Sequence, residues 1–282
     1  MKKTALIMAG GCGERFWPRS RRSLPKQFLS LTNNGKTMIQ LTIERILSLV
    51  DAEDIFIVTN QQYKQLVLRQ LPAIPEQNIL CEPCSKNTAP CIGLGAMYIA
   101  QKYGDALMFV LPSDHLIKYN SMFINTMNEA CNIAESRSCL VTIGITPDYP
   151  ETGYGYIKFN PMAYYGQAFK VDCFVEKPDL VTAKQYIDSE EYLWNSGMFT
   201  WTTSSILNSF KQYLPDLYQG LVKIRDSIGT SFEADIIQEV YQSFPSLSID
   251  YGIMEKSDNI YTLPGTFGWD DVGSWLAVER IK

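Results

Sequence analysis

Thr4-Ala5-Leu6-Ile7-Met8-Ala9-Gly10-Gly11-Cys12-Gly13-Glu14-Arg15 decides the fold. A short apolar run ends directly on Gly10, Gly11 and Gly13, the pattern of a buried strand that stops at a tight loop. Without Cβ atoms in the way, the backbone N–H groups of such a loop can approach an anion closely. Two familiar phosphate-binding loops do not fit the letters. A dinucleotide fingerprint begun at Gly11 needs glycine where the chain has Phe16. A P-loop needs glycine five residues ahead of Gly35-Lys36-Thr37, where the chain has Ser30, and that segment follows no strand.

Outward from this point, residues 54–59, 79–81, 106–111 and 139–143 repeat the continuous apolar character of residues 4–9. Runs this short and this apolar read as parallel strands buried on both faces. Between them, residues 38–50, 61–71, 88–102 and 122–136 carry apolar side chains at three- and four-residue spacing and read as crossover helices. The alternation predicts an α/β fold with a central sheet flanked by helices. In the second half, residues 153–159 and 169–175 read as strands, and residues 180–188, 204–213 and 232–242 as helices. No internal repeat or low-complexity linker divides the chain. One domain is expected, with a lobe boundary near residues 147–151 and a later part that faces the substrate.

Composition narrows the function classes. The chain has 282 residues, 46% of them hydrophobic, and a formal net charge of −5, so it has a core to bury and no basic field to attract nucleic acid. No stretch reaches the roughly 20 apolar residues that span a bilayer, and the opening apolar run is too short for a signal peptide. A cytoplasmic protein is therefore expected, with no membrane partner. Seven scattered cysteines suit reduced thiols. Cys81-Glu82-Pro83-Cys84 lacks the second pair that a structural zinc site needs, and His115 is the single histidine.

An anionic substrate must then be met by local groups. After the glycines come Arg15-Phe16-Trp17-Pro18-Arg19 and Leu24-Pro25-Lys26-Gln27-Phe28, which add cations to the amide cradle and suit a triphosphate. Glu82 to Pro90 follows the third strand and offers carboxylate, amide and hydroxyl groups at a strand end. A guanine edge, with two donors and one acceptor, can be read by Glu82, Asn87 and backbone groups there. Thr88 can equally serve as a helix N-cap with Pro90 in the first turn. Pro112-Ser113-Asp114-His115 closes the fourth strand, where open α/β sheets place ligand groups, and Asp114 is the first candidate metal ligand.

The stretch from Gly10 to Phe28 resembles the signature of nucleoside-diphosphate-sugar pyrophosphorylases, and its Trp-Pro and Pro-Lys-Gln-Phe pieces resemble the mannose-1-phosphate guanylyltransferase branch. The resemblance extends over residues 4–276. It implies a Rossmann-like nucleotide-diphospho-sugar transferase fold with a mixed, mostly parallel sheet. Residues of about 1–147 would form a nucleotide-binding lobe and about 148–282 a sugar-phosphate-binding lobe, with no isomerase domain within the chain. The activity implied is transfer of GMP from GTP to mannose 1-phosphate.

On that resemblance Ala9, Gly10, Gly11 and Gly13 hold the nucleotide together with Glu82, Asn87, Thr88 and Ser113, while Arg15 and Lys26 face the reacting phosphates. Trp269-Asp270-Asp271-Val272-Gly273 resembles the family's Trp-x-Asp-x-Gly element, which puts a second metal ligand at Asp271 beside Asp114. Mg²⁺ suits such a pair, since it takes one or two carboxylates plus phosphate oxygens. Gly153, Tyr154, Glu176, Lys177 and Asn195 match the sugar-phosphate elements. Taken singly, Glu176-Lys177 can be a solvated pair and the tyrosines core residues. The family usually has Gly-Arg before Asn-Thr-Ala-Pro, where this chain has Ser85-Lys86. A homodimer is a further family-level implication. Two rivals stay open: a nucleotidylyltransferase for glucose 1-phosphate with UTP or dTTP, and a silent regulatory subunit that senses a nucleotide sugar.

Overall fold

The computed structural model describes residues 1–11 and 16–281. The first half follows the predicted alternation: β1 (Lys3–Met8), α1 (Met38–Ile46), β2 (Ile55–Asn60), α2 (Lys64–Gln70), β3 (Ile79–Glu82), α3 (Thr88–Tyr103), β4 (Leu107–Pro112), β5 (Leu116–Ile117), α4 (Asn120–Arg137) and β6 (Leu140–Ile145). The second half adds β7 (Gly155–Tyr165), β8 (Ala168–Glu176), α5 (Leu180–Ser189), β9 (Tyr192–Thr202), α6 (Thr203–Tyr213), α7 (Pro215–Ser227), α8 (Glu233–Ser243), β10 (Ile260–Gly265), β11 (Trp269–Asp270) and α9 (Trp275–Ile281).

Nine strands form one sheet in the order β3-β2-β1-β4-β9-β6-β10-β8-β7. β1, β2, β3, β4, β6, β7 and β10 share one direction, and β8 and β9 oppose them. The sheet is thus mixed, with most strands aligned. Side chains along β1 alternate as a two-sided strand requires. Ala5 and Ile7 enter the apolar layer that includes α1 and α4 residues, and Leu6 enters the opposite layer with α3, α6 and α7 residues. Both layers exclude water, which explains why the strands show continuous hydrophobicity rather than alternation.

β9 joins the two halves. On one edge its residues 192–194 pair with β7, and residues 199–202 pair with β4. β4 therefore runs out, and β7 begins, on either side of residues 195–198. A cleft opens at that step, at the carboxyl ends of β1, β3 and β4. A smaller cluster of Phe16, Leu29, Leu31, Met38, Val272 and Val278 binds the segment after the glycine loop to the C-terminal residues. Phe16 meets Trp275 edge to face at 5.3 Å between ring centroids. Among the described residues no helix is long and apolar enough to cross a membrane.

Candidate active site

The cleft has a volume of about 570 Å³, and residues from both halves of the chain line it. Gly10, Gly11, Glu82, Asn87, Thr88, Ser113 and Asp114 come from the ends of β1, β3 and β4 and the loops beyond them. Gly153, Tyr154, Glu176, Lys177, Asn195 and Asp271 come from the second half. The expected site residues thus meet although the sequence separates Gly10 from Asp271 by almost the whole chain. Gly13 and Arg15 lie outside the described residues.

Each group is held by its local structure. Gln27 is 2% exposed, and its Nε2 donates to the carbonyls of Ala9 at 3.0 Å and Gly11 at 2.9 Å. Tying both carbonyls back fixes the backbone on either side of Gly10 next to the cleft. Ala9 is not among the residues that line the cleft, and its polar groups are taken up by the fold. It is 1% exposed, its amide donates to the Val58 carbonyl, and its own carbonyl is taken by Gln27 and by Thr59 Oγ1.

Asn87 is the N-cap of α3, with φ at 69° and its side chain accepting from the Thr88 amide at 2.8 Å. Thr88, which the letters also allow as a cap, is the first residue of the helix. Its Oγ1 accepts from the Ile249 amide at 2.8 Å and so ties the β3–α3 loop to the segment before residue 250. Lys86 points elsewhere, because its Nζ donates to the Phe244 carbonyl at 2.7 Å and caps the C-terminal end of α8. Glu82 is 3% exposed, and its Oε1 accepts from the Tyr241 hydroxyl at 3.3 Å. Burial pushes its carboxyl up to about 8.

Asp114 and Asp271, one from each group of lining residues, are linked through Lys26. Lys26, 7% exposed, places Nζ 2.9 Å from Asp114 Oδ2 and donates to the Asp271 carbonyl oxygen. Burial alone would raise the Asp114 carboxyl, but the Lys26 ammonium outweighs it and holds the group below its ordinary value. Asp271 Oδ1 accepts from Tyr154 Oη at 2.5 Å and from the Gly273 amide at 3.0 Å. Tyr154 therefore belongs to the cleft wall, where its ring also meets Trp194 and Trp269. Its phenol is raised by burial and by the Asp271 carboxylate. His115 is structural in this setting. Its Nδ1 accepts from Trp269 Nε1 at 3.1 Å, and burial lowers it to about 4, so the ring is neutral near pH 7.

On the far wall, Asn195 Nδ2 donates to Asp250 Oδ1 at 2.8 Å while its Oδ1 accepts from the Gly197 amide at 3.2 Å. These bonds fix which end of the amide faces which way. A Cβ on Gly155 would lie 2.3 Å from Glu176 Oε1, so only glycine lets that carboxylate take its place. Lys177, at φ 48°, keeps its Nζ 3.7 Å from Glu176 Oε2 with most of the side chain in solvent. Sequence reasoning missed Gln27 and Asp250 as site residues. Gln27 lies inside a recognised motif but acts through carbonyls that no motif displays. Asp250 sits on a single π-helical turn, Asp250–Met254, in a segment with no periodic pattern. Its carboxyl is raised to about 6 by burial and then by Glu176.

Two carboxylates, Asp114 and Asp271, supply hard oxygen donors in the same cleft, the donor chemistry a divalent cation takes. A different acidic group, Asp51, Glu53 and Asp54, has ligand atoms within 4.8 Å of one another. It precedes the start of β2, at the opposite end of the strands from the cleft, and Asp54 is already paired with Lys2 at 2.7 Å and Tyr103 Oη at 2.6 Å.

Comparison with known proteins agrees with this architecture. Residues 4–282 match the family model described as nucleotidyl transferase. The mannose-1-phosphate guanylyltransferase of Salmonella montevideo is 41% identical over 289 residues, covering 99% of this chain and 60% of that protein. The chain therefore spans about 60% of the length of the curated relatives it matches. The crystal structure of mannose-1-phosphate geranyltransferase from Thermus thermophilus superposes with a TM-score of 0.89 at 36% identity, covering 100% of this chain and 79% of that one. UDP-glucose pyrophosphorylase from Acinetobacter baumannii, at 15% identity and a TM-score of 0.61, covers 100% of this chain and 92% of its own and shares the fold. From its glycine loop to its last helix, the chain belongs to the nucleotidyl transferase family.

Proposed function

We propose that this chain carries the guanylyltransferase reaction in which the phosphate of mannose 1-phosphate attacks the α-phosphorus of GTP, giving GDP-mannose and pyrophosphate. The observation that carries the reading is the cleft at the β9 step. It brings the β3–α3 loop and the β4 end into one volume with Glu176, Lys177 and Asn195, and Asp114 and Asp271 line the same volume. A two-substrate displacement needs that arrangement, because the nucleophile and the nucleoside triphosphate must be held in line. Similarity to named mannose-1-phosphate guanylyltransferases supports the choice of substrates.

In this reading residues of about 1–147 bind GTP, and about 148–282 bind the sugar phosphate, although β9 returns to the centre of the sheet. Gly10 and Gly11 present backbone to the triphosphate, and Ser113 lies at the strand end beside it. Glu82 and Asn87 face the base. On the other wall Glu176 and Asn195 take sugar hydroxyls, the backbone at Gly153 lies against the ring, Tyr154 walls the site, and Lys177 reaches the sugar's phosphate from solvent. Asp114 and Asp271 would hold Mg²⁺, whose charge would stabilise the phosphate oxygens during displacement. Lys26 keeps Asp114 ionised and supplies positive charge next to the reacting phosphates. No general base is required, because the sugar phosphate arrives already ionised. The free thiols at Cys81, Cys84, Cys91, Cys131, Cys139 and Cys173 suit a reducing cytoplasm.

Pyrophosphate release with Mg²⁺, measured over ATP, GTP, UTP and dTTP against mannose, glucose and fucose 1-phosphates, tests the reading. Release with GTP and mannose 1-phosphate above every other pair is expected. Preference for UTP or dTTP with glucose 1-phosphate would overturn the substrate assignment. Binding of GDP-mannose with no turnover of any pair would overturn the activity.

A further inference from the structure

Tyr241 lies on α8, outside the residues that line the cleft, and is fully buried. Its ring is packed against Phe244 at 5.3 Å between centroids, so its position does not depend on its hydroxyl. The hydroxyl nevertheless spans from α8 to the base side of the cleft. It donates to Glu82 Oε1 at 3.3 Å, and the Pro90 carbonyl in the first turn of α3 is also 3.3 Å away. Among the described residues it is the one side chain that hydrogen-bonds to the Glu82 carboxylate. The other oxygen, Oε2, lies 3.0 Å from where a Cβ on Gly10 would be, so it faces the glycine loop and the cleft.

A terminal carboxyl group turns freely about its last bond unless one oxygen is tied. With Oε1 tied to Tyr241, Oε2 is left as the acceptor on the nucleotide side. We propose that Tyr241 is a positioning residue for base selection, holding Glu82 so that Oε2 takes the 2-amino group of guanine. The inference rests on the guanylyl reading above. Adenine has no donor in that position, and a pyrimidine has no 2-amino group. A donor matched to a buried acceptor discriminates more strongly than shape does, because the wrong base leaves the acceptor unpaired. α8 would thereby contribute to specificity without touching the nucleotide.

The test compares GTP with ITP, which lacks only the 2-amino group, in wild-type enzyme, Tyr241→Phe, Glu82→Gln and the double variant. KM and kcat are read with saturating mannose 1-phosphate, and melting temperature is read alongside. Wild-type enzyme should prefer GTP. Tyr241→Phe should raise KM for GTP about tenfold, the loss of one hydrogen bond, with kcat changed less than about twofold. KM for ITP should move far less, so the preference collapses. Glu82→Gln should collapse it as well, and the double variant should be no worse than Glu82→Gln alone, since the hydroxyl acts through the carboxylate.

If Glu82→Gln loses the preference while Tyr241→Phe keeps it, the role of Tyr241 is overturned and the reading of Glu82 stands. If Glu82→Gln itself keeps the preference, the base reading fails and takes the inference with it. Should Tyr241→Phe not fold, Glu82→Asp leaves α8 intact and withdraws the carboxylate from the hydroxyl. A retained preference in that variant overturns the proposal.

Discussion

Glu82 shows how burial changes the chemistry a residue brings to a site. At 3% exposure its carboxyl is pushed up to about 8 from an ordinary 4.5, because water no longer solvates the anion. Between those values the folded chain keeps a proton that the unfolded chain has released, so this group's contribution to stability falls as pH rises. Asp250, raised to about 6, acts in the same direction. Glu82→Gln removes the first of these effects. The stability of the wild type relative to Glu82→Gln, read from urea midpoints, should decline from about pH 5 to about pH 8 by at most roughly 1.4 kcal/mol per pH unit. An advantage that grew with pH would mean the carboxyl is favourably ionised in the folded state.

At this scale the letters reveal residue type more readily than residue role. Asp114 and Lys26 stand in patterns that display their charge, and their meeting at 2.9 Å follows from the strand end and the loop. Gln27 and Ala9 exchange the functions their positions suggest: the side chain in the later motif shapes the loop, and the residue before the glycines is spent on the fold. Hydrogen bonds to carbonyls leave no trace in composition or periodicity.

Among the elements, the strands and helices of the first half were legible because each is long enough to show a period and is bounded by turn residues. β9 was not. Its run Leu193-Trp194-Asn195-Ser196-Gly197 mixes polar and apolar residues with a glycine at φ 67°, since it must both fill the middle of the sheet and line the cleft. β10 ends in Pro264-Gly265, letters that ordinarily stop a strand, and α7 escaped assignment altogether.

Helix α3 carries the tightest contact between layers. A Cβ on Gly95 would sit 2.4 Å from Leu6 Cδ1, and on Gly93 2.4 Å from Leu221 Cδ1, so glycine lets the helix lie close to both β1 and α7. Alanine is the better helix former by about 1 kcal/mol. Leu6 is fully buried, and its Cδ1, Cδ2 and Cγ would lie 2.4, 2.6 and 3.0 Å from that Cβ, so overpacking should outweigh that gain. Gly95→Ala is expected to destabilise the protein by about 1–3 kcal/mol in urea unfolding. A stabilised variant would show that α3 can shift away from the sheet at little cost.

For the whole molecule, the order of the sheet brings the ends of β1, β3 and β4 together with the second half of the chain at one cleft. Among the described residues five acidic ones, Glu82, Asp114, Glu176, Asp250 and Asp271, line that cleft beside Lys177, and Lys26 is already paired with Asp114, so the phosphates of the proposed substrates would depend on a bound cation for neutralisation. The strand order could not be read from the sequence, because the return of β9 between β4 and β6 depends on contacts 49 to 95 residues apart. The existence of one site formed from both halves could be read, because its pieces occur in a recognisable order. The most direct test replaces Asp271 with Asn. The amide can still accept from Tyr154 and Gly273 but has lost the charge that would hold a cation beside the phosphates. GDP-mannose formation should fall by at least about a hundredfold with the melting temperature unchanged, whereas turnover near the wild-type rate would show that the reaction does not occur at this cleft.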